Sequence, residues 1–183
     1  MAIVFGGWIL GTEYRQGTLK RMLTSEPRRI RALTAKATVG AVALTTAMMS
    51  IGVIGWLGAR AIGNMNDVTV AFEFRQLLAA TIVGLIAASI AFGVSAITRS
   101  DSFAMIGTLG TLFVLDPLIG VIPKVGKYTV GSAMSAVENA ISGVTDPFQA
   151  PHTLGTTASV ITLSLWLVAI IGAGAAVFST RDA

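Results

Sequence analysis

Three stretches of this chain contain no charged residue: "ATVGAVALTTAMMSIGVIGWLGA" at 37–59, "QLLAATIVGLIAASIAFGVSAIT" at 76–98 and "TLGTTASVITLSLWLVAIIGAGAAVFST" at 153–180. Each exceeds the ~20 apolar residues that carry a helix across a hydrocarbon core of roughly 30 Å at ~1.5 Å per residue. Lipid offers no water to backbone N–H and C=O groups, so a spanning segment must satisfy them internally, as a helix does. The chain is 54% hydrophobic and 12% charged, about half the roughly 25% charge of a soluble domain. The pattern predicts an all-α, polytopic transmembrane helix bundle, a single domain over residues 1–183. Spans are expected at 37–59, 76–98 and 157–178. A fourth, at 102–122, reaches full length only if Asp116 lies in or near the membrane.

The N-terminal "MAIVFGGWILGT" would extend only ~18 Å as a helix. It carries neither the basic leader nor the small-residue cleavage site of a signal peptide. Residues 1–12 therefore read as the end of a span whose start belongs to a longer protein.

Charge is gathered in one place. Residues 13–36 hold seven Lys or Arg against two Glu, a net +5 in a chain whose total is +4. The basic character is a local patch, and no nucleic-acid partner is expected. Short loops rich in Lys and Arg favour the cytoplasmic side. With 13–36 inside, nine basic residues fall in the cytoplasm and four outside (Arg60, Arg75, Lys124 and Lys127). The C-terminal tail is then cytoplasmic as well.

Within the patch, Thr12 can cap a helix whose first turn carries Glu13, since a carboxylate suits the positive end of the helix dipole. That helix presents Leu19, Met22 and Leu23 on one face, with Arg15, Lys20 and Arg21 around them. Ser25, Glu26 and Pro27 form a second helix start. Gly17 costs about 0.5–1 kcal/mol relative to Ala inside a helix, so it marks a bend or a close approach of another backbone. The result is a short amphipathic helix clamped between two spans. Alternatively, the patch obeys the positive-inside rule and touches anionic membrane lipid.

The string "EYRQGTLKRMLTSEPRRIRALTAK", an acidic residue followed by Tyr-Arg-x-Gly-Thr and a basic-hydrophobic helix, resembles the cytoplasmic connector of type-two ATP-binding-cassette (ABC) transporter permeases. The order of spans and loops is similar over nearly the whole chain. The resemblance implies an N-terminally truncated exporter permease, which forms the substrate pathway with a second permease copy. A coupling helix would dock on a separate ATP-binding subunit through Glu13, Tyr14, Arg15, Gly17, Thr18, Leu19, Met22 and Leu23. ATP and Mg would be bound by that partner and no cofactor by this chain, in a bacterial cytoplasmic membrane. The contrasting expectation is a non-transporting anchor or scaffold that uses the basic patch to bind lipid or a partner protein.

Residues 123–156 are too long for a minimal turn. Val130, Met134, Val137 and Ile141 recur at helical spacing, which fits a short amphipathic helix lying in or dipping into the outer interface, and fits a packed external loop equally. The resemblance implies re-entrant helices here. Asp116 is a pathway candidate, because intramembrane carboxylates are functional by default. Asp116-Pro117 also reads as an N-cap with a first-turn proline, where the span breaks and a short helix starts. Gly52, Gly55 and Gly58, then Gly107 and Gly110, then Gly172 and Gly174 are small residues of the kind that let helices pack closely in lipid.

An enzyme finds little support. There is no cysteine, and His152 is the sole histidine, so a metal site would need carboxylates that are scattered over both sides. Ser95 in "FGVSA" has no base on its side of the membrane. "GVIPKVGKY" imitates a phosphate loop but has the wrong spacing and ends in Tyr128. Any energy source must be another chain.

Overall fold

The computed structural model describes residues 1–16, 29–65, 71–122, 124–144 and 154–180. All of the regular structure in them is helical: α1 (Ala2–Gln16), α2 (Arg29–Met65), α3 (Phe74–Thr98), α4 (Asp101–Gly120), α5 (Val130–Ser142) and α6 (Thr156–Thr180). Four of these are long and apolar enough to cross a membrane, over Leu33–Met65, Phe74–Thr98, Asp101–Gly120 and Thr156–Val177. The fold is an all-α polytopic bundle.

The hub is α3, which packs against all five other helices. A helix surrounded in this way must be apolar on every side, and α3 buries Ala79, Ala87, Ile90, Phe92 and Ala96 among others. Its small residues allow backbones to approach, the main source of helix association where lipid removes the hydrophobic drive. Gly93 lies against Ile170 of α6, and Gly174 of α6 sits 3.0 Å from the Gly93 carbonyl when measured from the position of an added Cβ. On the opposite flank, Gly6 of α1 rests on the backbone of Ala88.

The glycines singled out from the sequence divide. Gly52 meets Leu77 and Gly174 meets α3, but Gly55, Gly58, Gly107, Gly110 and Gly172 face open space. The close helix crossings are made instead by Gly6, Gly7, Gly11, Gly84 and Gly93.

With 37 residues, α2 extends about 55 Å, longer than the hydrocarbon core, so it must tilt or protrude. It runs past the expected boundary at residue 59 to Met65, where the Arg60 guanidinium stands 5.4 Å over the Trp56 ring and Phe72 meets Trp56 edge-on at 5.0 Å. Its hydroxyls are satisfied within the helix: Thr38, Thr45, Thr46 and Ser50 each donate to the carbonyl four residues back, so they cost little in lipid.

Two expected helix starts are corrected. Backbone α1 runs unbroken from Ala2 to Gln16, which places Thr12 and Glu13 in its interior instead of at a cap. The N–H groups that a cap at Thr12 would serve are already bonded within the helix, which begins ten residues earlier. Nor does the span break at Asp116. Leu115 and Asp116 are both helical (φ −70, ψ −41 and φ −61, ψ −49). The helix instead widens into a π turn over Thr111–Leu115, which accommodates the missing N–H and the bulky ring of Pro117 without ending the span.

Candidate functional site

Helix α1 finishes at Gln16 and α2 begins at Arg29, so the connector runs between these two helix ends. Its two roots are tied to one cluster: Leu33 of α2 is buried against Phe92 and Ala96 of α3, with Ile9 of α1 and Ala175 of α6 packed on them. A second tie joins α1 to α4. Gly7-x-x-x-Gly11 presents a smooth groove in which Gly7 lies against Ala104 and Met105, and Gly11 against the backbone of Asp101.

Asp101 opens α4 after a tight turn from α3. Arg99 adopts a left-handed conformation (φ 56, ψ 26) and donates its N–H to the Ser95 carbonyl at 2.8 Å. Ser100 then caps α4 by accepting from the Phe103 N–H. A non-glycine residue at positive φ costs on the order of 1 kcal/mol, and the turn leads directly into Asp101, itself only 9% exposed. The turn is thereby held directly against Gly11, one helical step from Glu13, Tyr14 and Arg15.

Those three residues lie on the last turn of α1. Gly17, Thr18, Leu19, Met22 and Leu23, and with them the amphipathic helix and the second helix start at Ser25–Pro27, lie outside the described residues, as does His152. Among the described residues no group of three or more His, Cys, Asp or Glu could hold a metal ion.

The other end is closed by α5. Thr129 caps it, accepting from the Ser132 N–H at 3.4 Å, and Gly143 ends it in a left-handed conformation (φ 74). The expected stripe is present: Val130, Met134 and Val137 are buried, with Ile141 beside them, against Ala87 and Ile90 of α3 and Leu163 of α6. Trp166 of α6 donates its indole N–H to the Tyr128 carbonyl at 3.1 Å, pinning the turn that precedes α5.

Asp116 meets α5 from the opposite side. Only 8% exposed, its carboxylate has as hydrogen-bonding partners the Thr129 hydroxyl and the backbone N–H groups of Val130, Gly131 and Ser132. These are the first-turn donors that a helix cannot satisfy for itself. Asp116 Oδ2 occupies the space a side chain at Gly131 would fill. Beside this contact, a cavity of about 290 Å³ lies between α3, α4 and α6, bordered by Thr108, Thr111, Asp116, Thr129 and Trp166.

Sequence reasoning missed Gly7, Gly11 and Gly131. The Gly-x-x-x-Gly spacing at 7–11 was a readable signal for the first two. Nothing local marks Gly131, because its constraint comes from a residue 15 positions away.

Among curated proteins and among solved structures, nothing matches this chain. The family model described as ABC-2 family transporter protein matches residues 1–183. With its apolar spanning helices, that makes the chain an integral membrane protein, the permease component of an ABC transporter. Permeases of this kind are partnered by an ATP-binding subunit and are not themselves the ATPase. This chain belongs to the ABC-2 transporter family.

Proposed function

We propose that this permease is an exporter whose connector, residues 13–36, docks on the ATP-binding subunit and passes its closure to the spans. The observation that carries this reading is the anchoring of both connector roots in one cluster, Ile9 and Leu33 against Phe92 and Ala96. A segment tied at both ends to the same rigid body moves that body when pushed. Glu13, Tyr14, Arg15, Gly17, Thr18, Leu19, Met22 and Leu23 are the contact residues, and ATP and Mg reside on the partner.

The nine-to-four bias of basic residues supports a cytoplasmic connector and C-terminus in a bacterial cytoplasmic membrane. The pathway forms with a second permease copy. Exposed apolar side chains such as Phe103, Ile106 and Phe113 on α4 and Leu165 and Val168 on α6 supply surface for lipid and for that copy.

The test is purification of the tagged protein in mild detergent with and without residues 13–26. Recovery of an ATPase bearing a phosphate loop only when those residues are present supports coupling. A well-inserted protein that retains no ATPase in either form refutes it and favours a membrane anchor or scaffold.

A further inference from the structure

We infer that Asp116 is a positioning residue for α5, a polar latch by which a membrane-spanning helix holds the helix closing one end of the bundle. The argument begins with the unpaired donors of α5. The Ser132 N–H reaches the hydroxyl of the Thr129 cap, and this local cap leaves the N–H groups of Val130 and Gly131 without an acceptor on their own helix. In an apolar bundle such donors are costly unless matched. Asp116 matches them from α4, its carboxyl oxygens facing the first turn of α5.

Three features converge on this contact. Position 131 is glycine because the Asp116 carboxylate fills the place of a side chain. The π turn at Thr111–Leu115 ends at the residue immediately before Asp116, so the helix is rewound where the carboxylate must face α5. The Thr129 hydroxyl oxygen also lies 2.9 Å from the Gly126 carbonyl oxygen and 3.0 Å from Ser132 Oγ, which packs the turn entering α5 around the acid.

The latch is the polar half of the attachment, and the buried stripe of Val130, Ala133, Met134 and Val137 is the apolar half. Without the carboxylate, the first turn of α5 has unmatched donors in a dry site and gains by moving to water. Release uncovers the stripe and opens the 290 Å³ cavity beside Asp116. The inference concerns the attachment of α5 alone; only its consequence for transport rests on the exporter reading.

Because the chain has no cysteine, one introduced thiol reports cleanly. Ala133→Cys, at a site with 0% exposure on the stripe, is treated in membranes with a charged, membrane-impermeant methanethiosulfonate in three backgrounds: Asp116, Asp116→Asn and Asp116→Ala. The expected result is slow labelling with Asp116 and at least tenfold faster labelling with Asp116→Ala. Asp116→Asn, which retains one carbonyl acceptor, should fall between them. Ser95→Cys, at 0% exposure within α3, serves as the folding control and should stay protected in every background.

Equal labelling of Ala133→Cys in all three backgrounds would overturn the latch. So would Ser95→Cys becoming labelled in step with Ala133→Cys, since that is general unfolding. An independent check replaces the latch by a covalent one. Asp116 Cβ lies 3.6 Å from the Cβ position at residue 131, within the ~3.5–4.5 Å that a disulfide requires, so Asp116→Cys with Gly131→Cys should cross-link under mild oxidant. Failure of that pair to cross-link would overturn the placement of the carboxylate itself.

Discussion

Replacing Gly11 with alanine adds a single methyl group, yet the structure makes it a test of the whole connector joint. A Cβ at residue 11 would fall on Asp101 Cβ, Cα and backbone N, the last at 2.5 Å, whereas ordinary contacts of a Cβ begin near 3.4 Å. Two of the three obstructing atoms are backbone, so no rotamer change relieves the overlap, and α1 and α4 must part by about 1 Å. Overpacking of this kind costs about 1–3 kcal/mol. A gap of that size also forfeits a quarter to a half of each dispersion contact along the row, here those of Gly7 with Ala104 and Met105. Against this, alanine is favoured over glycine within a helix by about 0.8–1.0 kcal/mol. Gly55 isolates that second effect, because nothing lies within 4 Å of its Cβ position. Gly55→Ala should therefore stabilise by up to about 1 kcal/mol, and Gly11→Ala should lie about 1–3 kcal/mol below it. At roughly 2–4 °C per kcal/mol for chains of 150–250 residues, the two variants should differ by about 2–12 °C in detergent. Thermal unfolding followed by fluorescence-detected size exclusion reads this directly. A Gly11→Ala protein that melts at or above Gly55→Ala would refute the tight α1–α4 crossing.

Glu13→Trp and Gly17→Leu should abolish transport-stimulated ATPase activity in the reconstituted complex while membrane insertion, measured by topology reporters, persists; unchanged activity counts against coupling through these residues. Gly143 sits at φ 74 with open space around it, so Gly143→Ala should cost about 1–2 kcal/mol through backbone strain alone, and Gly143→Asn distinctly less; equal melting temperatures would contradict this. Trp166→Phe removes the indole donor to the Tyr128 carbonyl and should cost about 0.5–1.5 kcal/mol, read as a lower melting temperature; no change would mean that the bond contributes nothing.

The spans were legible because their cause is local. An uncharged run of sufficient length satisfies its backbone in lipid as a helix, and the run at 76–98 lies within the helix Phe74–Thr98. The periodic stripe of Val130, Met134, Val137 and Ile141 was equally visible, since an amphipathic helix carries its own period. That period could not say whether the helix lies on a surface or packs within the bundle, because both bury one face.

Asp116 shows where local reading ends. The residue pair Asp-Pro matches the opening of a helix, and nothing in the neighbouring sequence names a partner for the acid. The structure supplies a partner with no charge of its own, the first turn of α5, and a π turn that keeps the helix whole. Thr12 has the same lesson: its residue type suits a cap, but the helix that contains it begins at Ala2, so the N–H groups a cap would serve are bonded within α1. From its sequence alone the protein is determined to be a membrane helix bundle with one basic connector, because hydropathy and charge act residue by residue against lipid and water. Which glycines carry crossings, which acid holds which helix and where the connector is anchored were decided only in three dimensions, because close packing and hydrogen-bond pairing depend on neighbours far away in the chain.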